Sequence, residues 1–296
     1  EVLANFGDNA TAARLNEHWQ GAVLAPWANR VANGTYFFPR DTAHYLPHNE
    51  VNQYRSDALH GFLVNRSLTV VEARGGDDAA TLKLAIHFNE TTWPGWPFKA
   101  LVEVEYVLNA TGITVTVAGT NTQTDTSSPL PFFTGAHPYF LVSDPRTAIV
   151  ELDACSQWSH VLMGPGAPRG GNLIPTTKVA PWTRFNGSLP IGPDPTNSSN
   201  PLYYDDEFQA RASVGACPRL TFRVRDPADG DQMELWGDET VRVFHIFSGS
   251  HELWGTPALA MEPMSALADC YNNHIGGCVV TAGQRAAMTF GIRMVA

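Results

Sequence analysis

The chain has 296 residues, 44% of them hydrophobic and 16% charged, with a formal net charge of −10. That length holds one large β domain or two ordinary domains, and the apolar content supports a sizeable core. The acidic balance argues against nucleic acid, which needs a basic footprint, and against an anionic membrane surface. No stretch approaches the roughly eighteen uninterrupted apolar residues of a membrane span. An acidic chain rich in aromatics leans toward neutral, polar ligands such as sugars.

In chain order the pattern is β nearly throughout. Strands are expected at Ala80–Phe88, Leu101–Leu108, Ile113–Val117, Leu220–Arg225 and Val241–Phe247, where apolar and polar residues alternate with a period of two. Asn109-Ala110-Thr111-Gly112 is a turn signal that makes a hairpin of the second and third. Helical periodicity is missing, and 21 prolines and 25 glycines punctuate the chain. Composition makes loops of 164–175 and 187–201, after each of which the strand pattern resumes. We therefore expect an all-β fold, one large antiparallel β-sandwich over residues 1–296, with long loops at its rim.

The start at Glu1 leaves a removed leader or a trimmed start as the two readings. Asn-X-Ser/Thr sequons occur at Asn9, Asn33, Asn65, Asn89, Asn109, Asn186 and Asn197, more than chance spacing provides. The excess points to a secreted glycoprotein. The four cysteines then favour two disulfides, Cys270–Cys278 closing a short loop and Cys155–Cys217. No CxxC occurs, so no zinc or redox site is expected.

Five polar stretches sit in apolar or turn-rich surroundings: Pro26–Gly34, Ala58–Phe62, Gly135–Phe140, Tyr203–Phe208 and Ala260–Ser265. Singly, each reads as a core or loop residue with a satisfied hydrogen bond. Together and in this order they resemble the aldose 1-epimerase (galactose mutarotase) family. The most specific pieces are Asn29-Arg30, Leu59-His60-Gly61, Gly135-x-His137-Pro138-Tyr139-Phe140 and Glu262-Pro263. The closing run Gly276–Met294 is also similar, so the resemblance extends from about Gly21 to the C-terminus.

The resemblance implies a large antiparallel sandwich and a cofactor-free reaction on a small neutral sugar, with no metal. A cyclic aldose opens to its aldehyde, turns about C1–C2 and recloses as the other anomer. The ring oxygen gains a proton while the C1 hydroxyl loses one, so we expect an acid and a base on opposite sides of the anomeric centre. Carried over by motif, Glu262 is the general base and His137 the general acid. An imidazole with an ordinary pKa of about 6.5 has both forms near neutrality, and a glutamate near 4.3 is ionised. Pro138 and Pro263 bias the preceding residues toward extended backbone and stiffen both positions. His60 corresponds to a second histidine at the anomeric end, and Arg30, beside Asn29, to the arginine that contacts hydroxyls and orders the pair. A structural ion pair is the other reading of Arg30. Asp205 fits the family's Asp-x-x-Phe better than its neighbour Asp206. Trp27 and Tyr139 are candidate platforms for the sugar.

There are two departures from the family. His245 stands where many members carry a sugar-binding glutamine, which leaves the hydroxyl preference open. Fewer residues precede Asn29 than is usual, so an opening edge is expected to be covered or the start truncated. A glycan on Asn33 would crowd a cleft lined by Arg30, so that sequon is expected to be unused or to point away. A hexose-6-phosphate epimerase, a catalytically inactive carbohydrate-binding module, and a metal enzyme using His60, His137 and Glu262 are the alternatives. The first needs a cluster of cations for its phosphate.

Overall fold

The computed structural model describes residues 3–4, 11, 16, 18–39, 41–52, 55–125, 128–144, 147–152, 157–164, 172–181, 188–190, 204–211, 219–228, 230, 232–248, 252–253 and 256–295. Among them, two nine-stranded antiparallel sheets carry the architecture, with three small sheets beside them.

The first large sheet runs in the order Val23–Leu24, Gly135–Ala136, Thr256–Met264, Val243–Phe247, Asp205–Arg211, Gln157–Met163, Pro175–Pro181. Tyr139–Leu141 and Glu252–Leu253 also pair with Thr256–Met264. The second runs Ser188–Pro190, Ile149–Leu152, Leu220–Arg225, Gln232–Gly237, Arg285–Val295, Gly112–Asn121, Ala100–Asn109, Ala79–Phe88, Thr69–Gly75.

Alternation in the sequence becomes a two-faced sheet because successive side chains point to opposite sides. Val104, Val117 and Met288 lie opposite one another on adjacent strands, and all three are buried. Their neighbours Glu103 and Arg285 face outward, with Lys83 paired to Glu103. The inner faces of the two sheets meet in one buried cluster reaching from Ala22 to Ile292. Phe222 and Phe244, one from each sheet, touch there with ring centroids 4.4 Å apart. Each such fully buried apolar side chain stabilises by about 1.5–3 kcal/mol. At the hairpin tip Gly112 has φ +131°, and a Cβ there would come within 2.3 Å of the Ile292 carbonyl oxygen, so glycine is required.

The five expected strands are all present. The stretch 187–201 departs from its loop reading, because Ser188–Pro190 pairs with Ile149–Leu152. Pro175–Pro181 likewise forms a strand at the end of the 164–175 stretch. Leu3 bridges Phe140, and the Ala4 N–H donates to the Tyr139 carbonyl at 2.8 Å, so residues near the start cover the free edge of Tyr139–Leu141. No helix among the described residues is long and apolar enough to cross a membrane.

The cysteine expectation is corrected. Cys270 and Cys278 are both buried free thiols. The two thiols lie within reach of each other but stay unbonded: the Cys270 thiol donates to the Ile275 carbonyl at 3.2 Å and the Cys278 thiol to the Cys270 carbonyl at 2.9 Å. Cys155 and Cys217 lie outside the described residues. Of the sequons, Asn9, Asn186 and Asn197 also lie outside them, and the Asn65 side chain is not described. Asn33, Asn89 and Asn109 are exposed, and Asn33 does not line the cleft described next.

Candidate active site

A cleft of about 200 Å³ lies between the first large sheet and the small sheet of Arg30–Val31, Ser56–Leu59 and Glu50–Val51. Its lining includes His60, His137, Glu262, His245, Asp205 and Arg30, brought from six parts of the chain. Asn29 and Tyr139 also line it. Trp27 does not. Its ring is 2% exposed and packs edge-on to Phe62 and Tyr271, so it is a core residue and not a sugar platform.

Glu262 lies on the long strand Thr256–Met264, directly opposite His245 on Val243–Phe247. His137 sits in the short connection between Gly135–Ala136 and Tyr139–Leu141, which flank the same long strand. This brings His137 Nε2 to 3.3 Å from Glu262 Oε1. The two were expected on opposite sides of a sugar carbon and instead touch. That is compatible with the chemistry, since the hydroxyl and ring oxygens are bonded to the same C1. His137 Nδ1 and Glu262 Oε2 are buried without a hydrogen-bond partner. Such atoms are rare in native proteins and mark capacity for a ligand.

Burial also corrects the expected ionisation. It pulls His137 down to about 3, helped by the nearby His245, and it pushes Glu262 up to about 7 against the pull of His245. Near neutrality His137 is therefore neutral and Glu262 shares its population between acid and carboxylate. Burial, with His137 and Arg30 nearby, also holds His60 well below its ordinary value.

Asn29 and His60 are locked to each other. The Asn29 N–H donates to His60 Nδ1 at 3.2 Å and the His60 N–H to the Asn29 carbonyl at 2.9 Å. Both take positive φ, +55° and +61°, a conformation non-glycine residues hold only when the surroundings enforce it. Gly61 follows at +67°, where a Cβ would lie 2.2 Å from the Ala25 carbonyl oxygen. The Leu-His-Gly triplet is thus a backbone requirement as well as a chemical one. The bond from Asn29 occupies the lone pair of His60 Nδ1 and leaves the proton on Nε2. His60, His137 and Glu262 offer ligand atoms within 4.8 Å of one another. As bonded, however, the spare nitrogen of His60 carries a proton and has no lone pair for a metal.

Arg30 is both an ion-pair residue and a cleft residue. Its Nε and NH2 donate to the two oxygens of Glu50 at 2.7 and 2.9 Å, and NH1 donates to Asn29 Oδ1 at 3.0 Å. NH1 also lies 3.6 Å from Asp205 Oδ1. Burial opposes the charge, but Asp205 and Glu50 outweigh it and keep the guanidinium protonated. Arg55 donates to Glu50 as well, at 2.8 Å.

Asp205 faces the cleft and Asp206 does not line it, as alternation along Asp205–Arg211 requires. Asp205 is held down to about 2: burial raises it, but Arg30 and the hydrogen bond from His245 prevail. That bond is 2.9 Å, from His245 Nε2 to Asp205 Oδ1. For His245, burial lowers the pKa, but Glu262, Asp205 and Glu207 outweigh it and push it up to about 9. Its other nitrogen, Nδ1, lies 3.2 Å from the Asn29 amide nitrogen. Tyr139 stacks on His137 with centroids 4.9 Å apart and an interplanar angle of 21°.

Five further lining residues carry no motif: Glu50, Arg55, Trp19, His18 and Phe247. Trp19 is the tryptophan in this lining, tilted against His60 at 4.9 Å. Only the fold brings these residues in. Glu50 arrives because its strand pairs with Ser56–Leu59, which pairs in turn with Arg30–Val31.

Fold and site together define a β-sandwich with a buried histidine–carboxylate pair at the floor of a small polar cleft. The family model described as aldose 1-epimerase matches residues 1–293, and the chain belongs to that family of carbohydrate epimerases, whose substrates are small sugars. The uncharacterized protein YihR of Escherichia coli is 35% identical over 121 residues, a match spanning 40% of this chain and 35% of that protein. Among solved structures, the GalM/aldose epimerase homologue of C. elegans superposes with a TM-score of 0.78 at 17% identity, over 99% of this chain and 87% of that one. Galactose 1-epimerase of Lactobacillus acidophilus gives 0.74 at 13% identity, over 99% and 85%. At such identities the structural likeness speaks for the fold.

Proposed function

We propose that the protein is an aldose 1-epimerase that interconverts the α and β anomers of free neutral aldoses. The observation that carries this reading is the contact of His137 with Glu262 in a sugar-sized, polar cleft. Glu262, as carboxylate, takes the C1 hydroxyl proton. The C1–O5 bond breaks with its electron pair passing to the ring oxygen, which takes a proton from His137. The open aldehyde turns about C1–C2, the steps reverse, and the other anomer closes. Electrons and protons balance without a redox partner, so the reaction calls on no cofactor.

While the sugar is open, the pair is a neutral imidazole beside a protonated carboxyl. That is the proton arrangement burial favours, so the protein stabilises the protonation state of the intermediate and not that of the cyclic sugar complex. Arg30, Asn29, His60, His245 and Asp205 supply donors and acceptors to hydroxyls, which give specificity because unpaired buried polar groups are costly. The phosphate-sugar alternative is disfavoured, since Arg30 and Arg55 are both drawn to Glu50. A secreted, glycosylated setting is proposed as well, on the exposed sequons at Asn89 and Asn109.

The test is to follow the anomer ratio of freshly dissolved glucose, galactose and xylose by polarimetry, with and without the protein. Acceleration that survives a chelator is expected. No acceleration for any sugar would sink the reading.

A further inference from the structure

The strand register sets three ionisable side chains in one row. Glu207 is directly opposite His245, and His245 is directly opposite Glu262, on three adjacent antiparallel strands. Residues so paired project to the same face with Cβ atoms about 5 Å apart. All three are buried, Glu207 completely. Unlike the other two, Glu207 does not line the cleft. It lies behind His245, where a sugar cannot touch it.

A buried carboxylate is normally met by a cation. Glu207 has none within ion-pair distance among the described residues. Its two oxygens share a single donor, the Ala268 N–H, at 3.1 and 3.4 Å. The charged and titratable groups around it are His245 on the next strand, Glu262 beyond His245, Asp205 on its own strand, Arg30 beyond Asp205, and the Cys270 thiol in the segment that supplies Ala268. Burial pushes the Glu207 carboxyl up to about 7, so it carries its charge above that value, and His245 on the adjoining strand is the cation placed to answer it. The groups around His245 are Asp205 and Glu207 on one side, Glu262 on the other, and Arg30, His60 and His137 across the cleft.

The state of His245 decides what it offers a ligand. Arg30 donates to Asn29 Oδ1, so the side-chain amide of Asn29 presents its N–H groups to His245 Nδ1. A neutral ring, with its proton on Nε2 toward Asp205, accepts that bond. A charged ring has N–H on both nitrogens, and Nδ1–H then faces another donor. It needs an acceptor, and an oxygen of a ligand in the cleft is the available one.

We propose that Glu207 is a positioning residue that joins Asp205 and Glu262 in keeping His245 charged, turning it from an acceptor of the Asn29 amide into a donor to a sugar hydroxyl oxygen. The inference rests on the epimerase reading for its sugar but not for its central observable, the charge of His245. It also gives a reason for histidine at this position, where a neutral amide donates without help.

The test is an NMR titration of histidine-labelled protein, with the His245 signal identified by its loss in His245→Gln. In the wild type the His245 midpoint lies above the ordinary imidazole value. Glu207→Gln keeps an acceptor for Ala268 and removes the charge, and lowers the midpoint by roughly one pH unit. Glu207→Asp keeps the charge and loosens the Ala268 contact, and leaves the midpoint raised. In the anomer assay, Glu207→Gln raises KM several-fold at pH 8.5 with kcat kept, because sugar binding loses its donor. An unchanged midpoint in Glu207→Gln overturns the proposal. So does a wild-type midpoint at or below the ordinary value, which decides the matter even if the variants do not fold. Absence of anomerase activity with the midpoints as expected would strike the epimerase reading and leave the charge relation standing.

Discussion

Two rows of side chains, one on each sheet, have the same geometry and opposite character. On the second sheet, Arg223, Glu234 and Arg293 lie opposite one another across three strands. Each oxygen of the buried Glu234 meets a guanidinium, Arg223 Nε at 3.0 Å and Arg293 NH2 at 2.5 Å. On the first sheet the row is Glu207, His245 and Glu262, with two carboxylates flanking one imidazole. The first row is a carboxylate between fixed cations. The second is short of cations, so its charges depend on where protons reside. The contrast separates a charge that ties strands together from one that moves protons, within one fold and at equal burial of the carboxylates.

Substitutions that remove the reacting groups break the comparison most sharply. His137→Asn is expected to cost about 10²–10⁴ in kcat, or roughly 3–5 kcal/mol, with sugar affinity kept. Glu234→Gln, in the other row, should leave kcat and KM as they are. Steady-state kinetics on both variants checks this, and comparable losses in the two would erase the distinction.

The next effect is structural but reaches the cleft. Arg30→Ala leaves Glu50 to Arg55 alone and the buried Asp205 to His245 alone, and is expected to destabilise by up to about 3 kcal/mol, read by denaturant unfolding. Arg30→Lys keeps the charge but not the two-pronged contact with Glu50, so it should recover part of the stability and less of the activity.

Dependence on pH sharpens the account of the proton. The working pair needs one proton between two groups, on His137 with Glu262 ionised. In the free protein that single proton is retained below the Glu262 value of about 7 and lost above it. The second proton adds only near the His137 value of about 3. Hence kcat/KM is expected to fall as pH rises through about 7, approaching tenfold per unit. A rise through the same range would mean that Glu262 acts as a lone base with another acid.

The smallest effect belongs to the structural row. Both arginines are 44% exposed, so their pairing with Glu234 is screened. Glu234→Gln should cost on the order of 1 kcal/mol or less in thermal unfolding, and less again at high salt.

Much of this was legible in the sequence, for identifiable reasons. Strict alternation marked the long strands because one face of each is buried. Gly-x-His-Pro, Leu-His-Gly and Glu-Pro stood out because each joins a reactive side chain to a restricted backbone. What escaped depends on the folded chain. Glu50 has no motif and reaches Arg30 only across a three-stranded sheet. Trp27 stands inside a motif yet faces the core, while Trp19, outside every motif, reaches the cleft. An even cysteine count suggested Cys270–Cys278, whereas both thiols donate to carbonyls. The ionisation of His137 and Glu262 was misread from ordinary values because burial is a property of the fold.

The central claim is that the touching pair of His137 and Glu262 moves the protons of ring opening. The most direct test compares wild type and Glu262→Gln in one experiment, with anomer interconversion followed by polarimetry and sugar binding by calorimetry. The account predicts that both bind sugar while the variant loses about 10²–10⁴ of the rate. A variant that binds and interconverts anomers at close to the wild-type rate would contradict it.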